Sequence, residues 1–330
     1  MFFHPSSILF FLFLLASIIM MICMNSWFLI WFFIEMNLLC FIPLILLKKS
    51  KYSVESSLKY FFVQVLGSIL ILLGILFMYM NLNLYDYLFI SGLSIKLALA
   101  PFHQWMINIV EGLDWFLVGL LFTLQKVGPF ILLNYIYMMK ESMNYVFYFL
   151  ALLCALIGSL GGLFTSSLRK IMAFSSVAHS GWLLLSLMLS IYMWLMYFIF
   201  YAFILFSILI LFNQYTVNNL NHIFLKLNSL ISLGMGLSLL SMGGMPPFTG
   251  FIPKFIVMKE FMSYCNFFIF FVLLFSVIIS LFFYARIFIF NFIFLNNKSV
   301  FLLNKNITLP LSLFINLVGL VFIPFLTYLS

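Results

Sequence analysis

The chain has 330 residues, of which 66% are hydrophobic and 7% are charged, and its formal net charge at pH 7 is +8. Soluble domains average about 45–50% apolar and about 25% charged residues, so this composition excludes a water-soluble protein. Apolar segments of about 20 residues follow one another along the chain and leave no room for a soluble catalytic domain. The positive charge does not indicate nucleic-acid binding, because no stripe of lysine and arginine alternates with aromatic residues.

Eleven membrane spans are predicted, since a helix needs about 20 apolar residues to cross about 30 Å of hydrocarbon. They cover residues 7–25, 26–47, 55–80, 84–110, 114–138, 144–165, 168–189, 191–215, 226–262, 266–292 and 310–328. Their alternation places most basic residues on the side of the N-terminus: Lys48, Lys49, Lys51, Lys59, Arg169, Lys170, Lys226, Lys298 and Lys305. By the positive-inside rule, that side is predicted to be the cytoplasm or the mitochondrial matrix.

The ninth span, 226–262, contains helix-breaking residues in its middle. Pro246, Pro247 and Pro253 lack an amide hydrogen and clash with the carbonyl four residues back, so they leave backbone carbonyls without helix partners. Lys254 follows immediately. At membrane depth, such carbonyls and a cation need protein or a water-filled cavity around them. The segment is therefore predicted to be a hydrated ion site.

A second break is predicted in the fourth span, where Ser91-Gly92 and Ala100-Pro101 flank Lys96. The two interrupted spans are five apart, so a repeat of five helices would be inverted in the membrane, as in many ion transporters. The predicted fold is an all-α polytopic membrane protein with about 11 transmembrane helices in a single membrane domain. It comprises two five-helix inverted repeats, each with a broken helix, and one extra helix, at residues 1–138, 144–292 and 310–328.

Glu35 and Lys126 lie near the middle of their spans. A charge at the bilayer centre costs at least about 2.5–3.5 kcal/mol on insertion scales, so it is kept with a partner, with water or as a neutral group. When such groups interact strongly, protonation of one changes the proton affinity of the next, which is the basis of a proton relay. Glu35, Lys96, Lys126 and Lys254 are the candidates. The alternatives are charge pairs that join two helices and, for Lys254, a side chain that extends outward to the interface.

Two histidines are weaker candidates. His103 lies seven residues after Lys96 and is therefore predicted to share its helix face two turns on, where it could extend a proton path or else cap the disturbed backbone. His179 lies near the middle of its span beside Ser176 and Ser180, and is predicted to hold water or relay protons, whereas the serines could simply bond to carbonyls of their own helix. Four further polar residues are more typical of helix contacts or interface anchors: Gln64, Ser68, Asn134 and Arg286.

Motifs for bound cofactors are missing from the sequence. Cys23, Cys40, Cys154 and Cys265 stand singly and form no CxxC pair, so this chain alone is not expected to assemble an iron–sulfur or zinc site. Neither a GxGxxG after a strand nor a P-loop occurs. The first residues resemble neither a secretory signal nor an Arg-rich transit peptide, so we expect synthesis in the compartment where the protein works.

Five motifs, in order along the chain, resemble the subunit 2 family of mitochondrial NADH dehydrogenase, one of the antiporter-like membrane subunits of respiratory complex I. They surround Glu35, Lys96, Lys126, His179 and Lys254. Their sequences are WFFIEMNLLCFIP at 31–43, LSIKLALAPFHQW at 93–105, LQKVGP at 124–129, SLRK at 167–170 followed by FSSVAHSGW at 174–182, and GGMPPFTGFIPK at 243–254.

The resemblance implies the short, eleven-helix form of this subunit, in agreement with the span count. It implies that Glu35, Lys96, Lys126 and Lys254 form a central hydrophilic axis that moves protons. It also implies that the chain holds no redox centre, whereas NADH and ubiquinone are used by the whole H⁺-translocating complex. Gln104 departs from the family pattern, in which an aromatic residue is commoner at that position.

The partners implied are other complex I membrane subunits, with subunits 4L and 4 as expected neighbours, accessory subunits and lipids, and no nucleic acid. The implied location is the mitochondrial inner membrane, with the N-terminus in the matrix.

Three functions are weighed. The first is a complex I subunit that translocates protons, driven by quinone reduction elsewhere in the complex. The second is a free-standing cation/proton antiporter, which would exchange ions when the purified chain is placed alone in vesicles. The third is a structural scaffold with inert charge pairs, for which neutral replacements of Glu35 or Lys126 would leave proton pumping unchanged.

Overall fold

The computed structural model describes residues 5–82, 84–139, 143–215, 217–220, 229–264, 267–296 and 316. These residues are almost entirely helical, and eight helical segments are long and apolar enough to cross a membrane, one of them being Trp115–Met139, which is interrupted at Thr123. Together with two interrupted spans, they account for ten of the eleven predicted spans. The all-α membrane fold is therefore confirmed. The backbone forms two compact units, Met1–Leu150 and Ala151–Ser330. An inverted relationship between two repeats stays a prediction.

The first unit contains seven helices within the described residues and the start of an eighth. Their bounds are α1 Pro5–Cys23, α2 Trp27–Leu46, α3 Lys51–Tyr79, α4 Tyr85–Leu97, α5 Gln104–Val110, α6 Trp115–Phe122, α7 Leu124–Met139 and α8 Asn144–Phe164. Helix α3 packs against α2, α4 and α5, and α1 packs against α2 and α7. Because α7 also contacts α4, the two helices that carry Lys96 and Lys126 are neighbours.

The fourth predicted span is interrupted after Leu97, but its first half differs from the prediction. Helix α4 runs unbroken through Ser91 and Gly92, so the prediction that these two residues form part of the break was wrong. Gly92 instead permits close helix packing, because a Cβ there would lie 2.8 Å from the carbonyl oxygen of Gly67 in α3. The helix ends at Ala98, which has a left-handed φ of 55°.

The fifth predicted span, 114–138, is present as Trp115–Met139, and the single residue Thr123 interrupts it between α6 and α7. The Thr123 hydroxyl donates to the carbonyl of Gly119 at 2.8 Å. The amide of Lys126 donates to the carbonyl of Thr123, three residues back, at 2.9 Å. A threonine hydroxyl offers the backbone an alternative to regular helix bonding, which explains how a helix can break without glycine or proline. The break places Lys126 in the first turn of α7.

The second unit contains the remainder of α8 and five further described helices. Their bounds are α9 Leu168–Leu189, α10 Ile191–Gln214, α11 Ser229–Gly243, α12 Phe251–Tyr264 and α13 Phe267–Asn296. Helix α9 is the most deeply buried of the eight membrane-length segments, with 89% of its apolar stretch inside the protein. It contacts α10 and α12, while α11 packs against α10 and α13. His179 is therefore carried by the central helix of this unit.

The ninth span is interrupted between Gly243 and Phe251, which confirms the predicted break. Gly244 has a φ of +85°, a backbone conformation that suits glycine, and its amide donates to the carbonyl oxygen of Ser241 at 3.0 Å. Within the break, the amide of Thr249 donates to the carbonyl of Asn316 at 3.2 Å. Asn316 belongs to the predicted span 310–328, and the rest of that span lies outside the described residues.

Candidate functional site

A buried cavity in the first unit is lined by both Lys96 and Lys126. It offers about 30 Å³ to the centre of a water molecule. One water needs about 10–15 Å³ on this measure, so the cavity has room for about two. Four more polar side chains line it: Asn37, Tyr60, Gln64 and Gln125. The first unit therefore contains a polar, water-sized space between two lysines.

Lys96 lies in the last turn of α4 and is 8% exposed. Its Nζ donates to the carbonyl of Gln64 in α3 at 3.1 Å. The carbonyl of Ile95, close to the helix end, accepts from Trp105 Nε1 at 3.0 Å. The C-terminal end of a helix carries a partial negative charge, which favours a cation there. The end of α4 thus stabilises a positive charge on Lys96.

Lys126 has the opposite relation to its helix. It is 2% exposed and lies in the first turn of α7, where the helix end carries a partial positive charge. The dipole of α7 therefore disfavours a positive charge at Lys126. The two lysines thus share one cavity, but the dipole of α4 stabilises a positive charge on Lys96 and the dipole of α7 destabilises one on Lys126.

Glu35 lies on α2 and is half-buried. It interacts electrostatically with Lys96 and with Tyr60, although it does not line the cavity itself. Asn37, two residues further along α2, does line the cavity. The structure therefore brings three of the four predicted relay residues into one unit: Glu35, Lys96 and Lys126.

A hydrogen-bonded network, which sequence reasoning missed, crosses the wall of this cavity. Gln125 Nε2 donates to Asn37 Oδ1 at 2.8 Å, and the Tyr60 hydroxyl donates to Gln125 Oε1 at 3.4 Å. Gln125 precedes Lys126, and Asn37 follows Glu35 by two residues. Polar residues next to a mid-span charge are the signal that could have identified them.

Replacing Gln125 by leucine is expected to destabilise the chain. The substitution introduces an apolar side chain of similar size and leaves Asn37 Oδ1 without its donor, at a cost of about 1–3 kcal/mol. The measurement is the thermal unfolding midpoint in detergent. Gln104→Leu is the matched control, because Gln104 is exposed on α5 and does not line the cavity. Equal midpoints for the two variants would contradict this role of the network.

Lys254 lies in the first turn of α12 and is 4% exposed. Its Nζ donates at 2.8 Å to the carbonyl of Gly243, the last residue of α11. Lys254 therefore bonds to a backbone carbonyl beside the break, and its side chain points into the protein instead of outward. The sequence of this unit contains one acidic residue, Glu260, six residues further along the same helix. The nearest partner of the Lys254 ammonium described here is therefore a backbone carbonyl and not a carboxylate.

His179 and Lys254 line the same small cavity in the second unit. It offers about 10 Å³ to the centre of a water molecule, the lower limit for one water. The Nδ1 atom of His179 lies 2.9 Å from the hydroxyl of Tyr197, which orients the ring. Ser176 and Ser180 donate to the carbonyls of Ala173 and Val177 at 2.8 and 2.6 Å, the local bonding weighed for them from the sequence.

His103 is placed away from the lysine cavity. Its Nδ1 lies 3.1 Å from the carbonyl oxygen of Pro101, and the residue is not among those that line the cavity. The argument that His103 shares a helix face with Lys96 was wrong, because α4 ends at Leu97 and α5 begins only at Gln104. The placement favours the alternative, in which His103 supports the disturbed backbone.

The four polar residues assigned to helix contacts have mixed placements. Gln64 lines the lysine cavity, and Ser68 bonds to the carbonyl of Val65 at 2.8 Å. Arg286 is half-buried on α13, and Asn134 is half-buried on α7.

Within the described part of the chain, no three His, Cys, Asp or Glu side chains are grouped to hold a metal ion.

The chain is similar in sequence to proteins that share one name and to one family model. The family model described as "NADH:quinone oxidoreductase/Mrp antiporter, TM" matches residues 24–86 and 80–280. The chain is 38% identical to NADH-ubiquinone oxidoreductase chain 2 of Anopheles gambiae over 311 residues, which cover 91% of this chain and 87% of that protein. It is 33% identical to the protein of the same name from Mus musculus over 294 residues, 85% of this chain and 84% of the relative.

Two solved structures have similar folds. A chain of respiratory complex I from Thermus thermophilus superposes with a TM-score of 0.79 at 20% identity, and the match covers 99% of this chain and 80% of the other. A chain of the Mrp complex from Dietzia sp. superposes with a TM-score of 0.76 at 20% identity, covering 84% of this chain and 59% of the other. At this level of identity, the likeness supports the fold.

Proposed function

Because the chain belongs to the NADH-ubiquinone oxidoreductase chain 2 family, we propose that it is a core membrane subunit of proton-pumping respiratory complex I. Its part is to carry protons across the membrane through buried glutamate and lysine residues, driven by quinone reduction elsewhere in the complex. The single observation that carries this proposal is the water-sized cavity that Lys96 and Lys126 share.

In the first unit, Glu35 controls which lysine holds the proton. A negative charge on Glu35 and the C-terminal end of α4 both stabilise the ammonium of Lys96. When Glu35 is neutralised, one of these stabilising terms is lost. A proton then passes from Lys96 through water in the cavity to Lys126, so that Lys96 becomes an amine and Lys126 becomes an ammonium. Gln125 and Asn37 keep the wall of that cavity polar.

In the second unit, Lys254 and His179 are the proton-carrying pair. They line one cavity, and each has a neighbour that fixes its position: the carbonyl of Gly243 for Lys254 and the hydroxyl of Tyr197 for His179. Lys254 has no acidic neighbour in its first turn, so a proton on it is readily released to the next acceptor. The relay therefore has one proton-carrying set in each unit.

The assignment extends to partners and location. The chain works in the mitochondrial inner membrane with its N-terminus in the matrix, as the distribution of basic residues supports. Its neighbours are other complex I membrane subunits, namely subunits 4L and 4, with accessory subunits and lipids around them. The chain binds no cofactor itself, and the complex as a whole uses NADH and ubiquinone.

Replacing Glu35 by glutamine tests this proposal. Glutamine keeps the shape of the side chain but removes the negative charge, so Lys96 loses a charge interaction, and each loss of about 1.4 kcal/mol lowers the ratio of protonated to neutral Lys96 about tenfold. In the assembled complex in proteoliposomes, the number of protons pumped per NADH oxidised is expected to fall while the complex remains intact. Both quantities are measured in the same sample.

Glu55→Gln is the matched control, because Glu55 is an exposed acid on α3 that pairs with Lys59. The control is expected to pump normally. If Glu35→Gln also pumps a normal number of protons per NADH, the buried charges serve as a scaffold and the proposal is overturned.

A further inference from the structure

Tyr284 on α13 has a buried hydroxyl with an incomplete set of partners. The residue is 1% exposed. Its hydroxyl interacts with the side chain of Ser175, yet among the described residues no well-formed hydrogen bond reaches it. Leaving a buried hydroxyl unsatisfied is unfavourable, and such groups are ordinarily paired with protein or with ordered water. A partner from outside the described chain is therefore expected at this position.

The hydroxyl belongs to a residue that lines the cavity shared by His179 and Lys254. Ser276 and Ser280 line the same space, and their hydroxyls donate to the carbonyls of Leu273 and Val277 at 2.7 and 2.8 Å. Because each serine hydroxyl already donates its proton to a backbone carbonyl, its oxygen can only accept a hydrogen bond from a molecule in the cavity. Tyr284 and Lys254 supply donors.

This combination of donors and acceptors fits a water molecule. Water donates two hydrogen bonds and accepts two, and a buried water typically makes about three hydrogen bonds to otherwise unsatisfied groups. The cavity offers about 10 Å³ to the centre of a water, the lower limit for one molecule. Its size therefore has room for one water.

We propose that this cavity holds one ordered water and that Tyr284 is the residue that positions it between Lys254 and His179. The inference rests on the proposed function, which makes Lys254 and His179 proton carriers. In the transfer, the ammonium of Lys254 gives one proton to the water, and the water gives a different proton to the imidazole of His179. The water is regenerated, and the Tyr284 hydroxyl ends in its starting state. Tyr284 acts through the water and does not itself carry the proton.

The test compares the wild-type complex with Tyr284→Phe, which removes a single oxygen atom. The control is Tyr201→Phe, because Tyr201 is equally buried and its hydroxyl also lacks a well-formed hydrogen bond, but it does not line the cavity. Each assembled complex is examined by a structure at a resolution that shows ordered water, by protons pumped per NADH in proteoliposomes, and by thermal unfolding.

The expected result is an ordered water about 2.7–3.0 Å from the Tyr284 hydroxyl in the wild type and in Tyr201→Phe. In Tyr284→Phe the water should be absent and pumping lower by about fivefold, the effect of losing one hydrogen bond. The unfolding midpoint should change by a similar amount in the two variants, since each loses one buried hydroxyl that interacts with a serine of α9. An empty wild-type cavity, or normal pumping by Tyr284→Phe, would overturn the inference.

Lys254→Met distinguishes this inference from the proposed function. If Lys254→Met stops pumping while Tyr284→Phe pumps normally, the water-positioning role fails and the relay survives. If Lys254→Met itself pumps normally, the proposed function of this unit fails.

Discussion

Replacing Lys126 by methionine is expected to stop proton movement through the first unit while leaving the complex assembled. Methionine fills a similar volume without a titratable group, so a proton on Lys96 has no second lysine in the cavity to receive it. A positioned proton acceptor contributes about 10²–10⁴-fold to the rate of a proton transfer, so we expect a loss of at least about 100-fold in transfer through this cavity. The measurement is proton uptake per NADH oxidised in proteoliposomes.

Lys59→Met is the matched control, because Lys59 is a surface lysine on α3 whose side chain is 48% exposed and paired with Glu55. Surface ion pairs contribute about 0–1 kcal/mol, so this variant should assemble and pump normally. Normal pumping by Lys126→Met would show that the cavity is not part of the proton path.

Lys126→Arg separates proton transfer from charge alone. Arginine keeps the positive charge but does not release its proton in a protein. If Lys126 serves only to balance charge between helices, the arginine variant should pump. If it must take and release a proton, Lys126→Arg should fail as completely as Lys126→Met, and we expect the second result.

The features that were predictable from the sequence are those set by local chemistry. The length of the apolar runs alone identified ten spans that the described residues contain. In lipid, the backbone N–H and C=O groups of a span must form hydrogen bonds within their own helix, so an apolar run of that length becomes a helix. Proline and glycine at 243–254 predicted the break in the ninth span, beside which Lys254 bonds to the carbonyl of Gly243. The cost of burying charge singled out Glu35, Lys96 and Lys126, three residues that the fold places in one unit.

The features that were not predictable depend on packing between helices or on a choice between competing hydrogen bonds. Thr123 interrupts a helix through the hydrogen bonds of its hydroxyl and backbone. Ser91 and Gly92 are residue types that often end helices, yet they lie inside α4, where Gly92 packs closely against Gly67 of α3. The same limit applies to the site. The sequence marks Gln125 only by its position next to Lys126, and it gives no such signal for Tyr284; both residues reach a cavity only through the packing of neighbouring helices.

The other large expected effect is at Gly250, directly before α12. A Cβ added at this position would lie 1.7 Å from the carbonyl oxygen of Ser241 in α11. Because the obstacle is backbone and not a flexible side chain, Gly250→Ala must displace one side of the break. That displacement separates α12 from α11 and removes the hydrogen bond from Lys254 to Gly243. Overpacking of this kind costs about 1–3 kcal/mol and occasionally more, and we expect the upper end or beyond.

Gly128→Ala is the matched control for this effect. A Cβ at Gly128 would lie 3.1 Å from the sulfur of Met21, whose flexible side chain can move. Alanine is also preferred to glycine within a helix by about 1 kcal/mol, so the control should be neutral or slightly stabilising. The thermal unfolding midpoint and the yield of assembled complex should both fall for Gly250→Ala and not for Gly128→Ala. Equal stability of the two variants would mean that the break tolerates a wider separation of α11 and α12, and Lys254 would then be held by something other than the tight turn before it.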